Sequence, residues 1–321
     1  MPCRVPSNGS RRKDTALALS DYDKEAIRRH SASLGFDACG FARAEEVSAE
    51  EQLRYAQWIA DNRHGPLQYM ERYGEVRSNP EKLLEGARTV IATALNYYPS
   101  RFQPSDAPQF AYYAYGRDYH EVVRTKLWAL AAHIKKEHGG DFRVCVDTAP
   151  LRERYWAQQA GIGFVGRNNQ LILPGRGSYF FLGFIITTLE LPADEPCRLN
   201  CDGCGRCVAE CPAHALDSEG AVDARRCLSC LSIEYRGELP PDLSFGPRVY
   251  GCDTCQKVCP HNSAAVACCI DEFAPSSDFL ALNHDAIAQM SPDEFRRLFR
   301  NSAVRRASLE MLKRNLRHCS R

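Results

Sequence analysis

The stretch Cys201-Asp202-Gly203-Cys204-Gly205-Arg206-Cys207-Val208-Ala209-Glu210-Cys211-Pro212 decides how the rest of the chain is read. Its spacing, C-x2-C-x2-C-x3-C-P, lets three thiolates wrap one face of a cubane iron–sulfur cluster while the fourth reaches a second cluster. Pro212 suits the start of a short helix, where no backbone N–H is needed. A second run follows, Cys252-Asp253-Thr254-Cys255-Gln256-Lys257-Val258-Cys259-Pro260, one cysteine short of the first. Exchanging the fourth thiolates gives cluster one the set Cys201, Cys204, Cys207 and Cys259. Cluster two takes Cys211, Cys252 and Cys255 and needs one more thiolate. Cys227 and Cys230 lie between the runs. Cys227, which follows Arg225-Arg226, is favoured, although spacing does not separate the two. Zinc would use separated CxxC pairs closing a single tetrahedral set. Three cysteines inside seven residues, and a Cys-Pro after each run, fit paired [4Fe-4S] clusters instead.

The rest of the composition agrees with metal. Sixteen cysteines in 321 residues mean either secreted disulfides or intracellular metal. The first 20 residues carry Arg4, Arg11, Arg12 and Lys13 but no apolar core, so no export signal is expected. The chain is long enough to build a core without disulfide staples. At 44% hydrophobic and 25% charged it reads as an ordinary folded protein. No apolar run approaches about 18 residues, so no membrane span is expected. A net charge of +1 excludes a uniformly basic nucleic-acid coat but not a local basic patch.

Outward from the cysteine runs, the elements alternate. Helices are expected over Asp21–Leu34, Glu51–Asn62, Glu121–His138 and Ala149–Ala160. Strands are expected over Ala87–Tyr98, Phe142–Val146 and Ser178–Leu191, the last either one strand or two joined at Gly183. This predicts an α/β or α+β catalytic domain over residues 21–192, behind a polar tail over 1–20. A ferredoxin-like module with two [4Fe-4S] clusters follows over 193–270. Residues 271–321 form a helical, basic C-terminal segment. From Arg296 to Arg321 that segment holds nine Lys or Arg and one acid, Glu310, a face that could meet phosphates.

Three segments outside the cysteine runs carry polar chemistry. Asp147 follows a strand and precedes a helical run. It reads either as a helix N-cap or as a carboxylate at a ligand-binding sheet edge. Gly161-Ile162-Gly163-Phe164-Val165-Gly166 has dinucleotide-loop spacing but follows a helix and opens none, so that reading is rejected. Tyr112, Tyr113, Tyr115, Arg117, Asp118, Tyr119 and His120 form a polar-aromatic run that could read a nucleobase. The alternative is a partly buried aromatic cluster with Asp118 capping the next helix.

Taken together, these segments resemble the epoxyqueuosine reductases, cobalamin-dependent iron–sulfur enzymes of tRNA modification. The resemblance runs from about residue 22 to 317. It is carried by Tyr69-Met70, Ala114-Tyr115-Gly116-Arg117-Asp118-Tyr119-His120, Asp147-Thr148-Ala149-Pro150, Gly177 to Gly183, Asp223 to Cys227, and above all Gly251 to Pro260 with its Cys-Asp-x-Cys-Gln pattern. The resemblance implies reduction of epoxyqueuosine to queuosine at the tRNA wobble position. Cobalamin without a histidine on cobalt would lie between the α/β domain and the cluster module. By the family pattern Asp147 is the proton donor and Cys227 the cluster ligand. Arg117, Asp118 and His120 would line the substrate side, and Arg167 and Ser178 would stand near the corrin. Implied partners are a tRNA with a queuosine-type wobble base and an external low-potential electron donor. A cytoplasmic monomer is expected.

The sequence departs from the family in three places. Arg167-Asn168-Asn169-Gln170 replaces the usual continuation, His261 stands where Trp is common, and Cys230 is an extra thiol. The chemistry suits the residues. Opening an epoxide needs two electrons and an acid beside the leaving oxygen, and clusters supply electrons singly. Two other readings were weighed: a reductive dehalogenase-like cobalamin enzyme on a small molecule, and a non-catalytic electron-transfer subunit.

Overall fold

The structure is a computed structural model that describes residues 19–319. The expected N-terminal tail therefore lies, except for Leu19 and Ser20, outside the described residues. Four strands make the central sheet: β1 (Ala38–Arg43), β2 (Thr89–Asn96), β3 (Phe142–Cys145) and β4 (Phe180–Thr187). Their spatial order is β1-β2-β4-β3, and every neighbouring pair is antiparallel. The domain is therefore α+β. The argument that placed Asp147 at the ligand-binding edge of a parallel sheet does not hold, because no parallel strand runs in this sheet.

β2 is buried at all eight positions, because both faces of the sheet are covered. Ile91 and Leu95 point to one side, with Val123, Leu127, Leu130 and Ile134 of the helix α2 (Tyr119–His138) and Ile27 of α1 (Asp21–Ser33). Val90, Ala92 and Ala94 point to the other, with Trp156 and Ala157 of α3 (Glu153–Gln159). A strand covered on both faces reads as a continuous apolar run rather than an alternating one. β4 does not break at Gly183. A Cβ there would stand 2.8 Å from Leu127 and from Val123, so the glycine lets α2 lie close on an unbroken strand.

The C-terminal residues close onto the same body. Gln109–Phe110 pairs in parallel with Arg248–Tyr250. Phe110, Tyr115, Tyr250, Phe279, Phe299 and Leu312 share one core with the helix α4 (Leu309–Arg317). Asn315 of α4 is fully buried and donates to the carbonyls of Ser232 and Val249. The segment between the cysteine runs is thus pinned to the C-terminal helices. Among the described residues no helix is long and apolar enough to cross a membrane.

Candidate active site and iron–sulfur centres

Asp118 is the N-cap of α2, its carboxylate accepting from the His120 N–H. The first turn of the helix then places His120 between two carboxylates. Its Nδ1 lies 2.7 Å from Asp118 Oδ1 and its Nε2 2.9 Å from Asp147 Oδ2. Tyr119 stacks on His120 on one side and on Phe181 of β4 on the other, at 4.1 and 4.3 Å between centroids. The polar-aromatic run is anchored from the C-terminal side. Arg117 N–H donates to Glu272, Asp118 N–H donates to Asn301, and a Cβ at Gly116 would meet the Phe273 backbone at 2.4 Å. The exposed Arg117 guanidinium reaches Glu121 at 3.6 Å.

Asp147 is not a helix cap. α3 begins at Glu153, with Arg152 as its N-cap residue. Asp147 instead occupies a kinked loop with φ +47°, in the left-handed region that costs a non-glycine residue energy. Glu153 holds the kink: its Oε1 accepts from the Asp147 N–H at 2.6 Å. The Asp147 side chain is 54% open. Arg154, on the helix that follows, is exposed as well. Tyr69, 44% exposed, and Arg306, paired with Glu234 at 2.8 Å, add to the charge environment of Asp147.

These groups distribute their protons unevenly. Burial disfavours the His120 cation, but hydrogen bonds and charge from Asp118 and Asp147 outweigh that and push it up to about 9. Burial, then the charge of Asp147, pushes Glu153 up to about 8. Burial pushes Asp147 up as well. The His120 hydrogen bond and charge, with the Tyr119 hydroxyl, outweigh it and hold the carboxyl below its ordinary range. At neutral pH the cluster therefore holds ionised Asp147 between a protonated His120 and a protonated Glu153.

Cys201, Cys204, Cys207 and Cys259 line one cavity, together with Arg167 and His261. Burial, and then the charges of their neighbours in that set, push the Cys207 and Cys259 thiols up. In the second set Cys227 feels Cys252 and Cys211, and Cys255 feels Cys252, Cys227 and Cys207. Thiols packed so that each opposes its neighbours' ionisation are a donor set that a cationic iron–sulfur core would relieve. Cys230, pushed up to about 12 by burial, faces Cys227 and Glu234 rather than Cys211 or Cys252.

The residues inside the second run tie the module to the sheet. Asp253, 7% exposed, accepts from the Tyr112 N–H at 2.8 Å. Gln256 donates to Ser178 O and Oγ at 3.0 and 3.1 Å. Ser178 was expected beside a corrin. It is 3% exposed, and its hydroxyl is spent on Gln256 and Asn262. Arg167, expected there too, faces the thiol cavity. Sequence reasoning missed Glu153, which looks like one more charge on a helix. A carboxylate six residues after Asp147, on the helix's first turn, was the available signal.

The fold and site define a class: an iron–sulfur protein in which an α+β domain presents an acid–base cluster beside a double-cluster module. Comparison with known proteins narrows this. Residues 77–148 match the family described as Epoxyqueuosine reductase QueG, DUF1730, and residues 200–262 match the 4Fe-4S double cluster binding domain. An epoxyqueuosine reductase from Leadbetterella byssophila is 39% identical over 93% of this chain and 98% of its own. A crystal structure of an epoxyqueuosine reductase with an epoxyqueuosine-modified tRNA-Tyr stem loop superposes with a TM-score of 0.82. It is 31% identical over 92% of this chain and 80% of that one. A Bacillus subtilis epoxyqueuosine reductase, whose aspartate catalytic loop is swung out of the active site, is also 31% identical. It gives a TM-score of 0.83 over 92% of this chain and 80% of that one. The chain belongs to the epoxyqueuosine reductase family.

Proposed function

We propose that this protein reduces epoxyqueuosine to queuosine in tRNA, with Asp147 delivering a proton to the departing oxygen. The observation that carries the reading is the Asp147 carboxylate, half open to solvent and 2.9 Å from His120 Nε2. The reaction converts an epoxide to an alkene. Two electrons and two protons enter, and the oxygen leaves as water. His120 holds a proton beside Asp147 at neutral pH. Substrate bound over Asp147 displaces water, and the loss of hydration raises Asp147 toward the pKa of an acid. His120 passes its proton from Nε2 to Oδ2, and Asp147 hands it to the leaving oxygen; the second proton comes from water. Asp118, itself ionised, keeps the imidazole oriented and stabilises the cation that forms when His120 takes a proton back from water.

The family's cobalamin is assigned to the open surface around Asp147, where Tyr69, Arg154 and the loop Asp147–Pro150 would meet it. When bound, cobalamin supplies the low-potential reducing power for C–O cleavage. Cys201, Cys204, Cys207 and Cys259 would hold cluster one, and Cys211, Cys227, Cys252 and Cys255 cluster two; such clusters would supply electrons one at a time from an external donor. The basic residues after Arg296 give the tRNA backbone a cationic face.

The test is an anaerobic turnover assay. Cluster-replete protein receives cobalamin, a strong reductant and epoxyqueuosine-bearing tRNA, and nucleosides are read by mass spectrometry. Queuosine that forms only with cobalamin, and falls at least 100-fold in Asp147→Asn, supports the reading. Full activity in Asp147→Asn removes the aspartate's role. Bound cobalamin with no conversion removes the substrate.

A further inference from the structure

The cavity lined by the four cluster-one thiols also has Arg167, Asn168, Asp202 and His261 in its wall. The Arg167 guanidinium lies against the turn between Cys201 and Cys204. Its Nη1 donates to the Gly203 carbonyl at 3.4 Å, and a Cβ on Gly203 would stand 3.6 Å from its Nη2. That long bond is the only one its side chain makes among the described residues. His261 Nε2 is buried with no hydrogen-bond partner among them. The Asp202 carboxylate stands 3.5 Å away, outside hydrogen-bond geometry. The imidazole is held edge-on by Phe164, at 5.4 Å and 77°. A buried imidazole nitrogen left unpaired is costly unless something in the cavity accepts from it. Of the acceptors in the cavity wall, Asp202 is out of geometry and the Asn168 amide oxygen already accepts from the Gln170 N–H, which leaves the four thiols.

We propose that Arg167 and His261 set the reduction potential of cluster one, Arg167 by its fixed charge and His261 by donating to a cluster sulfur. A thiolate-ligated cluster gains one negative charge when it is reduced. A fixed cation and an N–H donor in its wall stabilise the reduced form more than the oxidised form, which makes reduction easier. Cluster two has a different neighbour, the buried acid Asp253 beside Cys255, whereas the acid at cluster one, Asp202, is 72% open to water and so screened. The two clusters therefore titrate as separate waves, with cluster one the more easily reduced. This rests on the assignment of cluster one to these four thiols, which the experiment checks separately.

The experiment is a potentiometric titration of anaerobic, iron-replete protein, read by electron paramagnetic resonance. In Arg167→Gln one wave moves to lower potential. At the wild-type midpoint its reduced-to-oxidised ratio falls about tenfold, or 59 mV for one electron. The other wave stays, and Arg167→Lys, which keeps the charge, stays within threefold of wild type. His261→Phe keeps the ring against Phe164 but loses the N–H. It moves the same wave the same way, at least threefold. The wave that moves must be the one that Cys204→Ser removes; a shift confined to the other wave overturns the cluster assignment. Iron-replete Arg167→Gln and His261→Phe proteins with both waves within threefold of wild type overturn the tuning. Loss of iron from both makes these residues supports of the fold and also overturns it.

Discussion

His120 reaches Asp147 across 2.9 Å from Nε2 to Oδ2, while its Nδ1 is held by Asp118 at 2.7 Å. An imidazole between two carboxylates binds its proton tightly. In the folded protein His120 rises to about 9 from its ordinary 6.5. The stability it contributes is therefore fully present below pH 6.5 and is lost as pH rises through 9. Thermal unfolding of the wild type and His120→Gln should show this directly. The wild-type advantage in Tm is greatest near pH 6.5 and shrinks steadily toward pH 9.5. A constant gap across that range would show that His120 is not charged in the fold.

Glu153 has the opposite sign. Its carboxyl is held protonated, at about 8, by burial and by Asp147. An acid raised in the folded state costs stability once pH exceeds its unfolded value, and the cost grows until its folded value is passed. Glu153→Gln removes that cost and keeps an oxygen to accept from the Asp147 N–H. Its Tm should exceed that of the wild type above pH 8 and converge with it toward pH 5. Glu153→Ala, by contrast, frees the strained loop at Asp147. Turnover should fall at least tenfold in Glu153→Ala and stay within about threefold in Glu153→Gln. Equal losses in the two variants would mean that the carboxyl proton, not the loop contact, is what matters.

How much of this was legible in sequence depends on the range of the interaction. The thiol spacing within each run is a local feature, open to reading before any fold is known, and Cys201, Cys204, Cys207 and Cys259 line one cavity. β2 and α2 were readable because local apolar patterning marks them. The direction of the strands was not, since the pairing of β2 with β4 joins residues about ninety positions apart. Nor was the state of Asp147. Its proton affinity is set by His120, 27 residues earlier, and by a backbone kink that no residue type announces. Ser178 shows the same limit: its hydroxyl accepts from Gln256 and Asn262, partners 78 and 84 residues away that no local pattern announces.

Gly40 in β1 tests how closely α3 lies on the sheet. A Cβ at that position would stand 2.0 Å from the Ala160 carbonyl oxygen and 2.7 Å from Ile162. The oxygen belongs to backbone that follows α3, so it cannot turn aside as a side chain would. Gly40→Ala should cost roughly 3 kcal/mol by denaturant titration, the upper end for an overpacked core. A loss under about 1 kcal/mol would show that α3 slides on the sheet.

The fourth ligand of cluster two separates two neighbouring thiols. Cys227 feels Cys252 and Cys211, whereas Cys230 is turned toward Glu234. Cys230 lies on the helix Leu228–Ile233, and Cys227 is the N-cap residue of that helix. From the cap position a thiolate projects ahead of the helix toward the second run. One turn on, Cys230 is drawn into the protein, where it is buried. Cys227→Ser should therefore lose about half of the chain's iron and sulfide, together with one of the two paramagnetic signals. Cys230→Ser should retain full iron and both signals. Cys230 also has the thiol pushed up to about 12, so alkylation of the folded holoprotein at pH 8 should leave it unmodified. Iron lost in Cys230→Ser but kept in Cys227→Ser would reverse the assignment, and would require the helix to turn by one residue step to face the second run.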